Sequence, residues 1–190
     1  MEPSATRTLS TAEDRREAVL AAAMPVVAAR GIHATPTAEI AKRAGISHAY
    51  LFRLFPTKSD LAIAVVERAN QRIYDALAAA AASVDGSGEE KLHAMGLAYS
   101  ELLSDRELLL LQLHSHASAA EDENIRDAAR KGFERLVALV ERESGADSVS
   151  VGRFFATGML MNVMAALDAG SVTEHWADVL ANYCKSEDGP

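Results

Sequence analysis

The chain has 190 residues, 49% of them hydrophobic and only 5% aromatic, with a single cysteine and a formal net charge of −8. That length suffices for a core in one or two helical domains, and the lone Cys184 excludes an internal disulfide framework. Ala and Leu are abundant, which favours helices. No run alternates at period two with Val, Ile and Thr for long enough to suggest a sheet, so the expected fold class is all-α, with about nine helices.

The first helix opens at Ser10 or Thr11, with Glu13 or Asp14 as the acid of a capping box, and ends near Arg30-Gly31. The second begins at Pro36, well placed at a first helical position, and ends at Ala44. Gly45 accepts the left-handed backbone of a turn, and Ser47 is the N-cap of a third helix reaching about Leu54. A fourth starts at Thr57 and runs to about Ser83, before the break Asp85-Gly86-Ser87-Gly88. The fifth, Glu89 to Ser104, carries Leu92, Met95, Tyr99 and Leu103 on one face. Asp105 caps a sixth that reaches about Ala119. Ile125, Ala129, Phe133, Leu136 and Val140 stripe a seventh, closed by Gly145. An eighth opens at Ser148 or Ser150 and ends before Gly170, and Thr173 caps a ninth to about Lys185. The apolar run Phe154 to Leu167 is short for a bilayer and reads as a buried helix. The N-terminal MEPSATRTLSTAEDRR lacks the apolar segment of a signal peptide, so a cytoplasmic protein with no membrane partner is expected. The first eight or so residues and Ser186–Pro190 are expected to fray.

Charge is unevenly spread. Residues 1–60 hold eight Lys/Arg against six Asp/Glu, whereas the rest holds eleven against twenty-one. A weakly basic head on an acidic body is compatible with DNA binding, which depends on local cations at phosphates.

The head contains the most informative stretch, Thr35 to Asp60. Two short helices joined by a tight turn place small or apolar residues at Ile40, Ala41, Ala44, Ile46, Leu51 and Leu54. Such a helix-turn-helix presents its second helix to a major groove. His48, Ala49 and Tyr50 sit at the start of that helix and are the expected base readers, with the Ala49 methyl suited to a thymine methyl. Thr35 is expected to cap helix two and meet a phosphate. Thr37 lies in its first turn, where phosphates are attracted. Ser47, Phe52, Arg53 and Lys58 complete the expected backbone contacts.

The body holds no comparable chemistry. There is no phosphate loop, no Ser-His-Asp arrangement and no Glu-x-x-His metal pattern, so neither an enzyme nor a cofactor or metal is expected. His114 and His116, two apart on a helix, project to different faces. Met95, Tyr99, Leu103, Leu110, His114, Phe133 and Met161 lie at inward-facing spacing and are the expected ligand-pocket residues, with Tyr99 and His114 as polar handles.

REAVLAAAMPVVAARGIHATPTAEIAKRAGISHAYLFRLFPTKSDLAIAV, roughly Arg16 to Val65, resembles the N-terminal DNA-binding domain of the tetracycline-repressor (TetR) family. The resemblance is carried by the alanine-rich first helix ending in Arg30-Gly31, by Glu39-Ile40-Ala41, by Ala44-Gly45-Ile46-Ser47 and by the run Phe52 to Lys58. Ala49, Phe52 and Pro36 depart from residues common in the family. The resemblance implies a DNA-binding domain over residues 1–56, with its helix-turn-helix at about 35–54, and a ligand-binding and dimerisation bundle over 57–190. It also implies a homodimer on a palindromic operator, released by a small-molecule effector of unknown identity, more in keeping with a repressor. Pairing through helices eight and nine would use Val151, Phe155, Gly158, Met161, Ala165 and Trp176, with Gly152 allowing close approach. The competing expectation is an architectural or cell-division DNA-binding factor controlled by a protein partner.

Overall fold

The computed structural model describes residues 11–185. Among the described residues are nine α-helices, one 3-10 turn and no strand. The helices are α1 (Ala12–Arg30), α2 (Thr37–Arg43), α3 (His48–Leu54), α4 (Lys58–Ala82), α5 (Gly88–Leu102), α6 (Arg106–Glu121), α7 (Glu123–Ser144), α8 (Ser148–Ala166) and α9 (His175–Lys185). Ser10 and the two tails expected to fray lie outside the described residues.

Helix starts follow local chemistry. Thr11 with Asp14, Thr57 with Asp60 and Ser87 with Glu90 form reciprocal capping boxes, while Asp105, Asp122 and Asp147 cap α6, α7 and α8. Each cap satisfies amide groups that a helix leaves unpaired at its N-terminus. α1 runs unbroken through Pro25. Gly145 closes α7 with a left-handed backbone.

Backbone amides hold several of these carboxyls below their ordinary values: Glu90 through Ser87, Asp14 through Thr11, and Asp147 through Ser150. A carboxyl with a depressed folded pKa stabilises the fold above its unfolded pKa, and that contribution disappears as pH falls through the folded value. Glu90→Gln is therefore expected to lower the urea midpoint at neutral pH. The difference from wild type should shrink as pH drops below the usual glutamate value of 4.5. A difference that does not depend on pH would contradict this role.

The head packs Val19, Ala23 and Val26 of α1 against Ile40, Ala41, Leu51 and Phe55, all buried. Ala41 lets α3 approach closely, and the Ile46 amide returns to its carbonyl at 3.0 Å. α4 then carries the chain from head to body. Its N-terminal half buries Leu61, Val65 and Val66, and its later turns bury Ile73 and Leu77. Arg68 pairs with Glu17 of α1, and Arg72 pairs at 2.7 Å with Asp105, the cap of α6. α6 also touches the head directly. His114 Nε2 hydrogen-bonds the Ala28 carbonyl at 3.2 Å, and its ring lies where a Cβ on Gly31 would meet it at 3.4 Å.

α8 corrects the expectation of a buried helix. It is the only described helix long and apolar enough, by length and composition, to cross a membrane, yet most of it is not covered within the protomer. Val151, Phe154, Thr157 and Asn162 turn inward. Val149, Met159, Val163 and Leu167 turn outward beside Trp176, Val179 and Tyr183 of α9. One apolar helix thus serves two faces.

Candidate nucleic-acid interface and body cavity

Three parts build the head's outer surface: the turn at Gly45, the cap at Ser47 and the first turn of α3. Gly45 has φ of 67°, a conformation any side chain would resist. The Ser47 hydroxyl accepts from the Tyr50 amide at 3.1 Å, which fixes where α3 begins. His48 and Ala49 are exposed there, as is Arg53 in the last turn. The His48 imidazole is held on both sides: its Nε2 hydrogen-bonds Thr37 Oγ1 at 2.9 Å, and its ring meets Phe52 edge-on at 5.0 Å. Thr37 and His48, eleven residues apart, therefore act as one polar group. Phe52 is half-buried and packs on the core.

Tyr50 is also half-buried, with the Arg15 guanidinium 5.4 Å from its ring centre. Arg15 was not legible as a surface partner because nothing in local spacing brings α1 to α3. Lys58 is exposed and donates to the His33 carbonyl, drawing the loop after α1 toward the start of α4. Glu39 bridges Arg30 at 3.1 Å and Arg43 at 3.2 Å, so two cations stand over one carboxylate.

Thr35 corrects the expectation of a cap and phosphate contact. It is only 4% exposed, and its hydroxyl donates back to the Gly31 carbonyl at 2.6 Å. The loop closes on itself, and Pro36 takes the cap position of α2 without a side-chain bond.

In the body, a cavity of about 50 Å³ lies between α4, α5, α6, α7 and α8, in a concavity of about 730 Å³ that includes its open mouth. Of the expected lining residues, Tyr99, Phe133 and Met161 are there. Met95 is sealed in the core, Leu110 and Leu103 are half-buried elsewhere, and His114 faces α1. Its neighbour His116 lines the cavity instead, 5.7 Å from the Phe133 ring. Sequence reasoning also missed Gln112, a lone amide within a leucine run, and Asn162. The Tyr99 hydroxyl bonds Gln112 Oε1 at 2.9 Å and Asn162 Oδ1 at 3.0 Å. Burial pushes the Tyr99 phenol above its ordinary 10.0, partly offset by those bonds, and pushes the His116 imidazole below 6.5. Both are uncharged at neutral pH.

Val151, Phe155 and Gly158, expected at a dimer seam, point into the protomer. Val151 is buried in the core, Phe155 lines the cavity, and a Cβ on Gly158 would meet the Tyr99 ring at 3.2 Å. Met161 also lines the cavity, Ala165 is half-buried, and only Trp176 is fully on the open side.

Residues 19–65 match the family model of bacterial regulatory proteins, tetR family. That segment is a TetR-type DNA-binding head. The whole chain also has the fold of solved regulators. A transcriptional regulator from Pseudomonas aeruginosa is 18% identical over 96% of this chain and 95% of its own, with a TM-score of 0.73. A TetR-family regulator from Mesorhizobium loti is 18% identical over 93% and 98%, with a TM-score of 0.69. A regulator from Saccharomonospora viridis, solved in complex with choline, is 18% identical over 92% and 97%, with a TM-score of 0.69. The TetR-type head and the helical body together give this chain the fold of TetR-family transcriptional regulators.

Proposed function

We propose that the protein is a homodimeric repressor that binds a palindromic operator and is released by a small, largely apolar molecule. Residues 1–56 would be the DNA-binding head and 57–190 the effector and dimerisation body. The observation that carries this reading is α4: one continuous helix caps at Thr57 beside the head and lines the body cavity through Val66, Ala69, Asn70, Ile73 and Leu77. A molecule that wedges the cavity open displaces α4, and with it the spacing of two recognition helices that must meet half-sites about 34 Å apart. The effector lowers operator affinity by its preference for the displaced state. Contacts from α6 to α1 through His114 give the body a second hold on the head.

On DNA, His48, Ala49 and Tyr50 read base edges, and Thr37, Ser47, Phe52, Arg53 and Lys58 meet the backbone. Tyr50→Ala is expected to cost about 1–3 kcal/mol of specific affinity and relax preference at one position per half-site. Lys58→Ala should weaken all sequences alike and lower the salt slope by about one. Fluorescence anisotropy with the selected operator and a scrambled duplex measures both. Unchanged operator affinity in Tyr50→Ala would contradict the assignment of Tyr50.

The rival, a DNA-binding factor controlled by a protein partner, draws support from the narrowness of the cavity. It predicts that no small molecule releases the operator. The fold neighbour solved in complex with choline supports the effector reading, because a protein of this fold takes up a small molecule.

A further inference from the structure

We infer that the cavity selects a neutral, largely apolar molecule bearing one hydroxyl or carbonyl group, and that Gln112 hydrogen-bonds that group. This rests on reading the cavity as the effector site. Gln112 lines it and is 8% exposed, and its Nε2 has no hydrogen-bond partner among the described residues. The proton count around Tyr99 sharpens this. A phenol has one proton, yet Tyr99 faces two amide oxygens, on Gln112 and Asn162.

One amide must therefore turn and give its NH2 to the phenol oxygen. If Asn162 turns, Gln112 keeps a free donor. If Gln112 turns, its carbonyl oxygen takes the unpaired place. Either way the closed chain leaves one polar end of Gln112 unmet, and a buried unmet group costs about 1–3 kcal/mol. A carbonyl answers the first arrangement, and a hydroxyl answers both.

Neutrality follows from the walls. Among the described residues no Asp, Glu, Lys or Arg lines the cavity, so a carboxylate or ammonium would be buried without a counter-charge. The rings of Phe133, Phe154 and Phe155 supply apolar surface. A quaternary ammonium could still draw on ring faces, so it belongs in the test. Phe133 is 37% exposed and Met159 38%. These two can swing aside to widen the space, methionine being the more adaptable.

Calorimetry on the full-length protein with benzylacetone, its alcohol, butylbenzene, phenylbutyrate and phenethyltrimethylammonium separates the cases. The ketone or the alcohol should bind about tenfold or more tighter than butylbenzene, a net hydrogen bond's worth. Gln112→Leu, of similar volume, should abolish that preference while retaining butylbenzene. The wild-type preference is a readout that does not depend on the variant folding. Equal binding of butylbenzene and its polar partners, or tightest binding of either ion, overturns the inference and leaves the effector site standing. Binding of none of the five overturns the effector site itself.

Discussion

Val163→Glu should turn the protein into monomers that bind operator about a hundredfold or more weakly, since the avidity of two linked heads is lost. Val163 is 47% exposed and lies in an outward stripe with Val149, Met159 and Leu167, beside Trp176, Val179 and Tyr183 of α9. A contiguous apolar patch of this kind is rarely left in water. In the proposed homodimer a second copy related by a two-fold axis would cover it with the same patch, and a stable pair would bury more than about 1,000 Å². Glutamate there would bury an unpaired carboxylate in that seam. Because Val163 faces out, circular dichroism should show the helices intact. Gly158→Glu is not equivalent: its side chain would be driven into the Tyr99 ring, damaging the body before any seam. A wild-type protein that sediments as a monomer at micromolar concentration would sink the dimer.

Phe55→Ala should destabilise the head by about 3–5 kcal/mol, as for a buried Phe truncated in a core. Phe55 is 1% exposed, its amide bonds the Leu51 carbonyl at 2.9 Å, and the Arg16 guanidinium lies 4.2 Å from its ring centre. Arg16 also donates to the Leu54 carbonyl, so the ring and the cation together pin the end of α3 to α1. Losing the ring frees the recognition helix. Operator binding should fail at temperatures where most helical signal persists, because α4 to α9 keep their own core. Phe55→Leu should recover part of the loss. Thermal melts followed by circular dichroism alongside anisotropy would show it, and coincident, unshifted transitions would contradict it.

The helix-turn-helix was legible because its chemistry is local. Gly45, Ser47 and Ala41 each act on neighbours a few residues away, and the caps at Thr57, Asp105 and Gly145 work the same way. Contacts made across the fold were not. Thr35 looked like a cap until the loop folded it onto Gly31. α8 is apolar on both sides, so periodicity could not say whether Val151 or Val163 faces out. The two histidines of α6 do point to different faces, as their spacing required, but spacing could not tell which face held the cavity. His114 went to the head and His116 to the cavity wall. Gln112 does carry a local signal: a lone amide in LLLLQL is buried at a cost unless something meets it.

Selection of bound duplexes from a random DNA library shows whether the protein recognises a two-fold operator. An operator-binding dimer enriches one inverted repeat, its half-sites about one helical turn or a multiple apart, centre to centre, bound by two protomers, relaxed at one position per half-site in Tyr50→Ala and lost in Val163→Glu. No enrichment, or enrichment of a single asymmetric site bound by one chain, would contradict it.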